Sequence, residues 1–293
     1  MLLGNTRQFW PPFCRWLEGR CRRTVKGHAT NGWQLSEQHP VDAYVQHVLE
    51  TALARSYIPR RNSSISGSSS STTFGVVDIR YAHEMEKGRL LPIQTVAHAA
   101  GLGYYMKSVG LCTHPIYGPW IALRAVDRRN AVLFDGMDDT AELDVWHAHL
   151  PCPFSAAQQD ELADLLRRIL DRQRPGAPPA FAGALEAHGT TTPAIKCTVD
   201  AVVDALLGQS TVDGEETRAW IAEVCRRGGL VTQHGPSPRI DWLLLRVRAA
   251  SMLSIGAEHR YMADQAAYHY GKQLQLLEQI VTEQKQQQQQ QQQ

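Results

Sequence analysis

QTVAHAAGLGYY, Gln94 to Tyr105, followed closely by GLCTHP and GPWIALR between Gly110 and Arg124, decides how this chain is read. The stretch gathers two histidines, a cysteine, paired tyrosines, a glutamine and an arginine around small residues. A helix begun near Leu91 puts Gln94, Ala97, His98, Gly101 and Tyr105 on one face, because residues three and four apart stack along a helix. That face is small and polar. A glycine inside a helix costs about 1 kcal/mol against alanine, so Gly101 and Gly103 predict that something bulky approaches the backbone closely. A wide planar ligand is one candidate.

Outward from this stretch, the spacing predicts a helix over residues 7 to 18, capped by Asn5 or Thr6 and disturbed by the Pro-Pro pair at 11 and 12. A second helix is expected from Val41 to Arg55, with Tyr44, Val45, Val48, Leu49 and Leu53 inward. Residues 63 to 73, SSISGSSSSTT, read as a flexible linker. Phe74 to Tyr81 and Trp120 to Val126 read as strands. Ser155 starts a helix over about 155 to 172 with a leucine stripe, and RPGAPPAFAG, residues 174 to 183, reads as a linker. Further helices are expected over 199 to 208, 214 to 227, 240 to 254 and 260 to 284. The terminal glutamine run reads as a disordered tail.

Strands around a buried helix, followed by helices, give α+β. The expected organisation is N-terminal helices over 1-60, the linker at 61-73, a core over 74-150, a helical C-terminal region over 151-285 and the glutamine tail over 286-293.

With 293 residues, 43% of them hydrophobic, the chain is long enough for a full core. A formal net charge of +1 creates no global field for polyanions, so nucleic acid is not an expected partner. The basic run RCRRTVK, residues 20 to 26, reads as a solvated loop. Six scattered cysteines match neither a secreted disulfide framework nor a redox pair, which fits reduced thiols in a cytoplasm. The first residues hold no apolar run for a signal or a membrane span, although their basic, acid-poor character faintly resembles a transit peptide. No dinucleotide fingerprint, phosphate loop or zinc-protease motif appears.

The pattern Q-T-x-A-H-x-A-G-x-x-Y-Y, then G-x-C-x-H-P-x-x-G-x-W-x-A-x-R, resembles the CblC-type cobalamin-processing family, the cyanocobalamin reductases and alkylcobalamin dealkylases. Weaker similarity runs through HPVDAYVQHVLE (39 to 50), VVDIRYAHE (76 to 84) and HRYMADQAAYHYGKQLQLL (259 to 277). Residues 2 to 19 resemble a part that follows a leading strand-rich segment in the family, which implies that those strands are missing here. Between about Val126 and Ile240 nothing aligns.

The resemblance implies a flavin nitroreductase-like mixed sheet with a helical C-terminal cap. It implies removal of the upper axial ligand of cobalamin, reductively with FMN or FAD for cyanocobalamin and by glutathione for alkylcobalamins. A downstream cobalamin-trafficking adaptor is the implied partner, and a homodimer is a second possibility. The implied cobalamin contacts are Leu91, Pro92, Ile93, Gln94, His98, Tyr105, Met106, Lys107, Cys112 and Leu123. Met106 and Lys107 replace a tyrosine and a glutamine typical of the family, and Arg80 an aspartate.

Arg124 matches an arginine that binds glutathione carboxylates, a task suited to a guanidinium fork. Arg246 or Arg248 is expected to supply a second positive group. No covalent catalytic residue and no protein-bound metal are expected: C-x-H alone is a weak zinc signal, and nothing near Cys112 predicts a depressed thiol pKa. His98 is read as a pocket-shaping hydrogen-bonding residue, His114 as a turn residue, and Tyr261 and Tyr268 as packing residues. Two alternatives stay open: a non-catalytic cobalamin chaperone, and a flavin-dependent reductase of another substrate.

Overall fold

The computed structural model describes residues 2–20, 22–23, 33–34, 39–56, 79–87, 89–127, 150–173, 199, 214–232 and 235–291. The linkers expected at 61-73 and 174 to 183, and the helix expected beyond residue 199, lie outside these residues.

The chain begins with strand β1 (Leu2–Asn5), a 3-10 turn (Arg7–Phe9) and helix α1 (Trp10–Arg20). The two prolines occupy the first turn of α1, where the missing N–H groups cost no helical hydrogen bond. Two short strands, β2 (Arg22–Arg23) and β3 (Trp33–Gln34), pair antiparallel and lead to helix α2 (Pro40–Ser56). Strand β4 (Ile79–Tyr81), helix α3 (Ile93–Ala99) and the hairpin β5 (Tyr104–Met106) and β6 (Leu111–Thr113) follow. Strand β7 (Ala122–Asp127) then runs between β1 and β4 in a three-stranded antiparallel sheet.

Helix α4 (Ala156–Arg172) starts with a capping box, in which the Ser155 hydroxyl accepts from the Gln158 amide and the Gln158 side chain accepts from the Ser155 amide. Helix α5 (Glu215–Arg227), the small hairpin β8 (Val231–Thr232) and β9 (Gly235–Pro236), and helices α6 (Arg239–Met252), α7 (Ala263–Gly271) and α8 (Leu274–Gln291) complete the chain. The fold is α+β with small antiparallel sheets. Among the described residues no helix is long and apolar enough to cross a membrane.

Three apolar clusters tie these elements together. The largest joins Trp10, Phe13 and Leu17 of α1 to Trp120 and to buried residues of α5, α6, α7 and α8. The second packs Met106, Val109 and Leu111 of the hairpin against Phe154, Leu162, Ile169 and Leu245. In the third, Val45 and Leu49 of α2 cover Ala125 of β7. Each fully buried aliphatic or phenyl side chain contributes about 1.5–3 kcal/mol. Helix α6 faces two clusters at once, with Leu243 and Val247 toward the first and Leu245 and Ala249 toward the second.

Two helices differ from the sequence expectation. The helix through Gln94 stops at Ala99: Gly101 adopts φ 68°, and the Leu102 amide donates back to the Ala97 carbonyl, closing the end in a left-handed cap. Tyr105 therefore lies on a strand and does not share the helical face of Gln94 and His98. Gly103 sits where a Cβ would meet the Thr113 carbonyl oxygen at 2.9 Å and the Cys112 sulfur at 3.0 Å. What approaches Gly103 is its own hairpin. The helix expected over 260 to 284 is two helices, α7 and α8, separated at Lys272, which takes φ 57°. Helix α8 then continues through Gln291, so the glutamine run is helical that far.

Candidate functional site

The segment around Gln94 is built as a small polar platform. The Gln94 side chain donates to the Gly110 carbonyl at 3.0 Å, pinning α3 to the turn of the hairpin. His98 accepts from the Tyr105 amide through Nδ1 at 3.4 Å and meets the Tyr104 ring edge-on, with centroids 5.3 Å apart. His114 accepts from the Ile116 and Tyr117 amides and closes the turn to Gly118, and burial lowers its pKa.

Of the implied cobalamin contacts, Leu91, Ile93, Gln94, His98, Tyr105 and Leu123 are partly exposed, whereas Pro92 and Lys107 are exposed. Met106 and Cys112 are buried, Met106 in the second apolar cluster. Burial pushes the Cys112 thiol up to about 11, leaving it protonated and unreactive at neutral pH. Among the described residues no group of three histidine, cysteine or carboxylate side chains is arranged to hold a metal ion.

The second half of the site is a cationic cluster between β7, α6 and α7. Arg124 projects from the central strand; its Nε donates to Asn5 Oδ1 at 2.6 Å, and its Nη1 lies 3.6 Å from Asp42 Oδ1. Helix α6 presents Arg239, Trp242, Leu245 and Arg246 along one face, spaced by helical turns, and these line a cavity of about 270 Å³. Val109, Gly110 and Leu111 of the hairpin, with His269 and Tyr270 of α7, complete its walls. Arg248, two residues on, points elsewhere and forms a two-pronged ion pair with Glu161 of α4 at 2.6 and 3.0 Å. Of the two candidates for a second positive group, α6 turns Arg246 toward the cavity.

On the far side of His269, a cleft of about 20 Å³ is lined by Asn5, Arg124, Tyr261, Gln265, Tyr268 and Lys272, among others. Gln265, Tyr268, His269 and Lys272 follow an i, i+3, i+4, i+7 pattern, so α7 and its left-handed end deliver them to one side. The end is fixed by close backbone contact, since a Cβ on Gly271 would fall 2.4 Å from the Gly228 carbonyl oxygen at the end of α5. Arg239 Nη1 donates to the carbonyls of Tyr270 and Gly271, each at 3.2 Å, and holds the same corner.

Polar atoms here are incompletely satisfied. The Tyr270 hydroxyl and Gln265 Oε1 are buried with no hydrogen-bond partner among the described residues, and Arg246 faces the Tyr261 hydroxyl at a looser geometry than a full hydrogen bond. Leaving such a group unsatisfied costs about 1–3 kcal/mol. Burial, Arg246, Lys272 and Arg124 together hold His269 well below the ordinary imidazole pKa, so it is neutral at physiological pH. Burial and then Arg124 likewise lower Lys272. The region thus concentrates positive charge against one nearby carboxylate, Asp42, which faces both Arg124 and Lys272. It is suited to hold an anion.

Tyr261 and Tyr268 are buried at 2% and 7% exposure and belong to the large core, while also bordering the cleft. Sequence reading missed His269, Arg239 and Lys272. The polar i, i+3, i+4, i+7 face of Gln265 to Lys272 was the available signal. No family model, curated protein or solved structure significantly matches the chain.

Proposed function

We propose that this protein processes cobalamin, removing the upper axial ligand and passing the cofactor on in the cytoplasm, with glutathione as the co-substrate for alkylcobalamins. One observation carries the reading. Arg246 lines the cavity on one side of His269 and Arg124 the cleft on the other, so two arginines far apart in sequence meet in one cationic cluster. The sequence resemblance implies Arg124 as a ligand for glutathione carboxylates, and of the two arginines expected to supply a second positive group Arg246 is the one on the cavity wall.

A second arrangement supports it. The cavity beside Arg246 is walled by the hairpin turn that Gln94 grips, which joins the anion site to the surface carrying Leu91, Pro92, Ile93, His98, Tyr105 and Lys107. In this reading the corrin lies against that surface and glutathione reaches it from the arginines. The sulfur–carbon bond forms as the cobalt–carbon bond breaks, both electrons of the latter stay on cobalt, and the thiol proton is released. The buried, protonated Cys112 cannot replace glutathione as nucleophile. Rate enhancement comes from positioning. Lys272 lines the narrow cleft beside Arg124, where it adds a further positive group for a carboxylate.

The nitroreductase-like form of the sheet and the flavin-driven decyanation rest on the sequence resemblance alone. Titrating the full chain with cyanocobalamin, then supplying methylcobalamin and glutathione, tests the proposal. A shift of the corrin spectrum to the base-off form, followed by thiol-dependent demethylation, is expected. Base-off binding without turnover makes the protein a chaperone. Flavin binding with no corrin change makes it a reductase of another substrate.

A further inference from the structure

His269 lines both the 270 Å³ cavity and the Arg124 cleft. The rings of Tyr261 and Tyr270 flank it edge-on, at centroid distances of 5.8 and 4.9 Å. The groups facing it are Arg246 from α6, Arg124 from β7 and Lys272 beyond its own helix. Arg239 borders the same cavity, and Asp42 of α2 stands behind Arg124 and Lys272. With Arg246, Arg124 and Lys272 facing it, an added proton is repelled. A ligand bearing two carboxylates reverses that balance, since each negative charge set against the guanidinium groups removes part of the field that keeps the imidazole neutral.

We propose that His269, which lines both cavities, is the proton acceptor of this site and takes up one proton when a dicarboxylate neutralises the surrounding arginines. With glutathione as that ligand, the case that rests on the function proposed above, the thiol supplies the proton. The S–H bond breaks, an N–H bond forms on His269, and sulfur keeps the electron pair with which it attacks the alkyl carbon. The acceptor's location matters chemically, because a thiolate is the nucleophile and a thiol is not. With the arginines occupied by the carboxylates, the imidazolium formed on His269 is the cation that stabilises the thiolate.

S-methylglutathione, which has both carboxylates but no thiol, separates the proton from the reaction. Calorimetric titrations of the full chain in two buffers of different ionisation enthalpy are expected to show uptake of one proton from the buffer. Affinity is expected to weaken by up to about tenfold per unit of rising pH above neutrality. His269→Phe, which keeps a ring between Tyr261 and Tyr270, is expected to bind with no buffer-dependent heat and a flat pH profile. His269→Gln checks that result should the phenylalanine variant fold poorly. Glutarate serves as the second probe. Uptake with glutarate but no binding of S-methylglutathione would leave His269 its role and remove glutathione from the site. Binding of either probe without proton uptake, the same uptake by the His269 variants, or no binding of either probe would each overturn the proposal.

Discussion

Arg124 and Arg246 share a cluster, yet the fold treats them in opposite ways. Arg124 is answered by Asn5 and Asp42, so it is part of the frame that joins β1, α2 and β7. Arg246 is buried with no carboxylate against it among the described residues, and Nη1 has only the loosely placed Tyr261 hydroxyl for a neighbour. An arginine with partners contributes to the fold whether or not a ligand is bound. One held only by a loosely placed hydroxyl costs stability in the free protein, a cost offset when an anion binds. In the proposed reading Arg124 therefore serves the frame and the ligand together, whereas Arg246 serves the ligand alone.

Substitution of Arg124 should have the largest effect. Arg124→Ala removes one partner of a hydrogen-bonded charge set, at a cost of about 2–5 kcal/mol in glutathione-dependent turnover. Steady-state kinetics should show that loss with cobalamin affinity changed far less, and thermal melting should fall because Asn5 and Asp42 lose their guanidinium. Equal losses in turnover and cobalamin affinity would contradict the assigned role.

Arg246→Met should separate the two arginines most clearly. Removing a buried, poorly satisfied charge while keeping apolar bulk is expected to raise the denaturation midpoint of the free protein, by about 1 kcal/mol in stability. The same change should weaken glutathione binding at least about tenfold, one factor of ten being 1.4 kcal/mol. A variant that loses stability would show that Arg246 is already satisfied.

Smaller again is the pH effect of His269. Its native pKa lies well below the unfolded value, so below about pH 6.5 the unfolded chain binds the extra proton and stability falls as the pH drops. The slope for one such group approaches about 1.4 kcal/mol per pH unit, and denaturant titrations of His269→Phe should show it flattened. The smallest effect belongs to Arg248→Ala. It breaks the partly exposed pair with Glu161, expected to cost under about 1 kcal/mol, and leaves anion binding unchanged by calorimetry.

These sites also mark how far the amino-acid sequence could be read. Ser155 and Gln158 announce the start of α4 because a capping box is local chemistry, and the structure forms it. The strand at Ala122–Asp127 was legible from its alternation. Gly101 was not, because a glycine within a helix and a glycine ending one have the same neighbours in sequence; the bonds back to Ala97 and His98 decide it. Arg246 and Arg248 are equivalent as sequence. Only the packing of α4 beside α6, which offers Glu161 to one of them, tells them apart. The break at Lys272 escaped for a similar reason: it depends on Gly271 meeting Gly228 at the end of α5, a contact between segments far apart in sequence.

The pairing of Leu2–Asn5 with the central strand has a practical bearing on how the protein is handled. Asn5, which grips Arg124, is the last residue of that strand, so a purification handle fused ahead of Leu2 pulls on the wall of the anion site. A handle beyond Gln291, at the exposed end of the long terminal helix, leaves that wall undisturbed. Preparations tagged at opposite ends are therefore expected to differ in glutathione affinity before any residue of the site is changed.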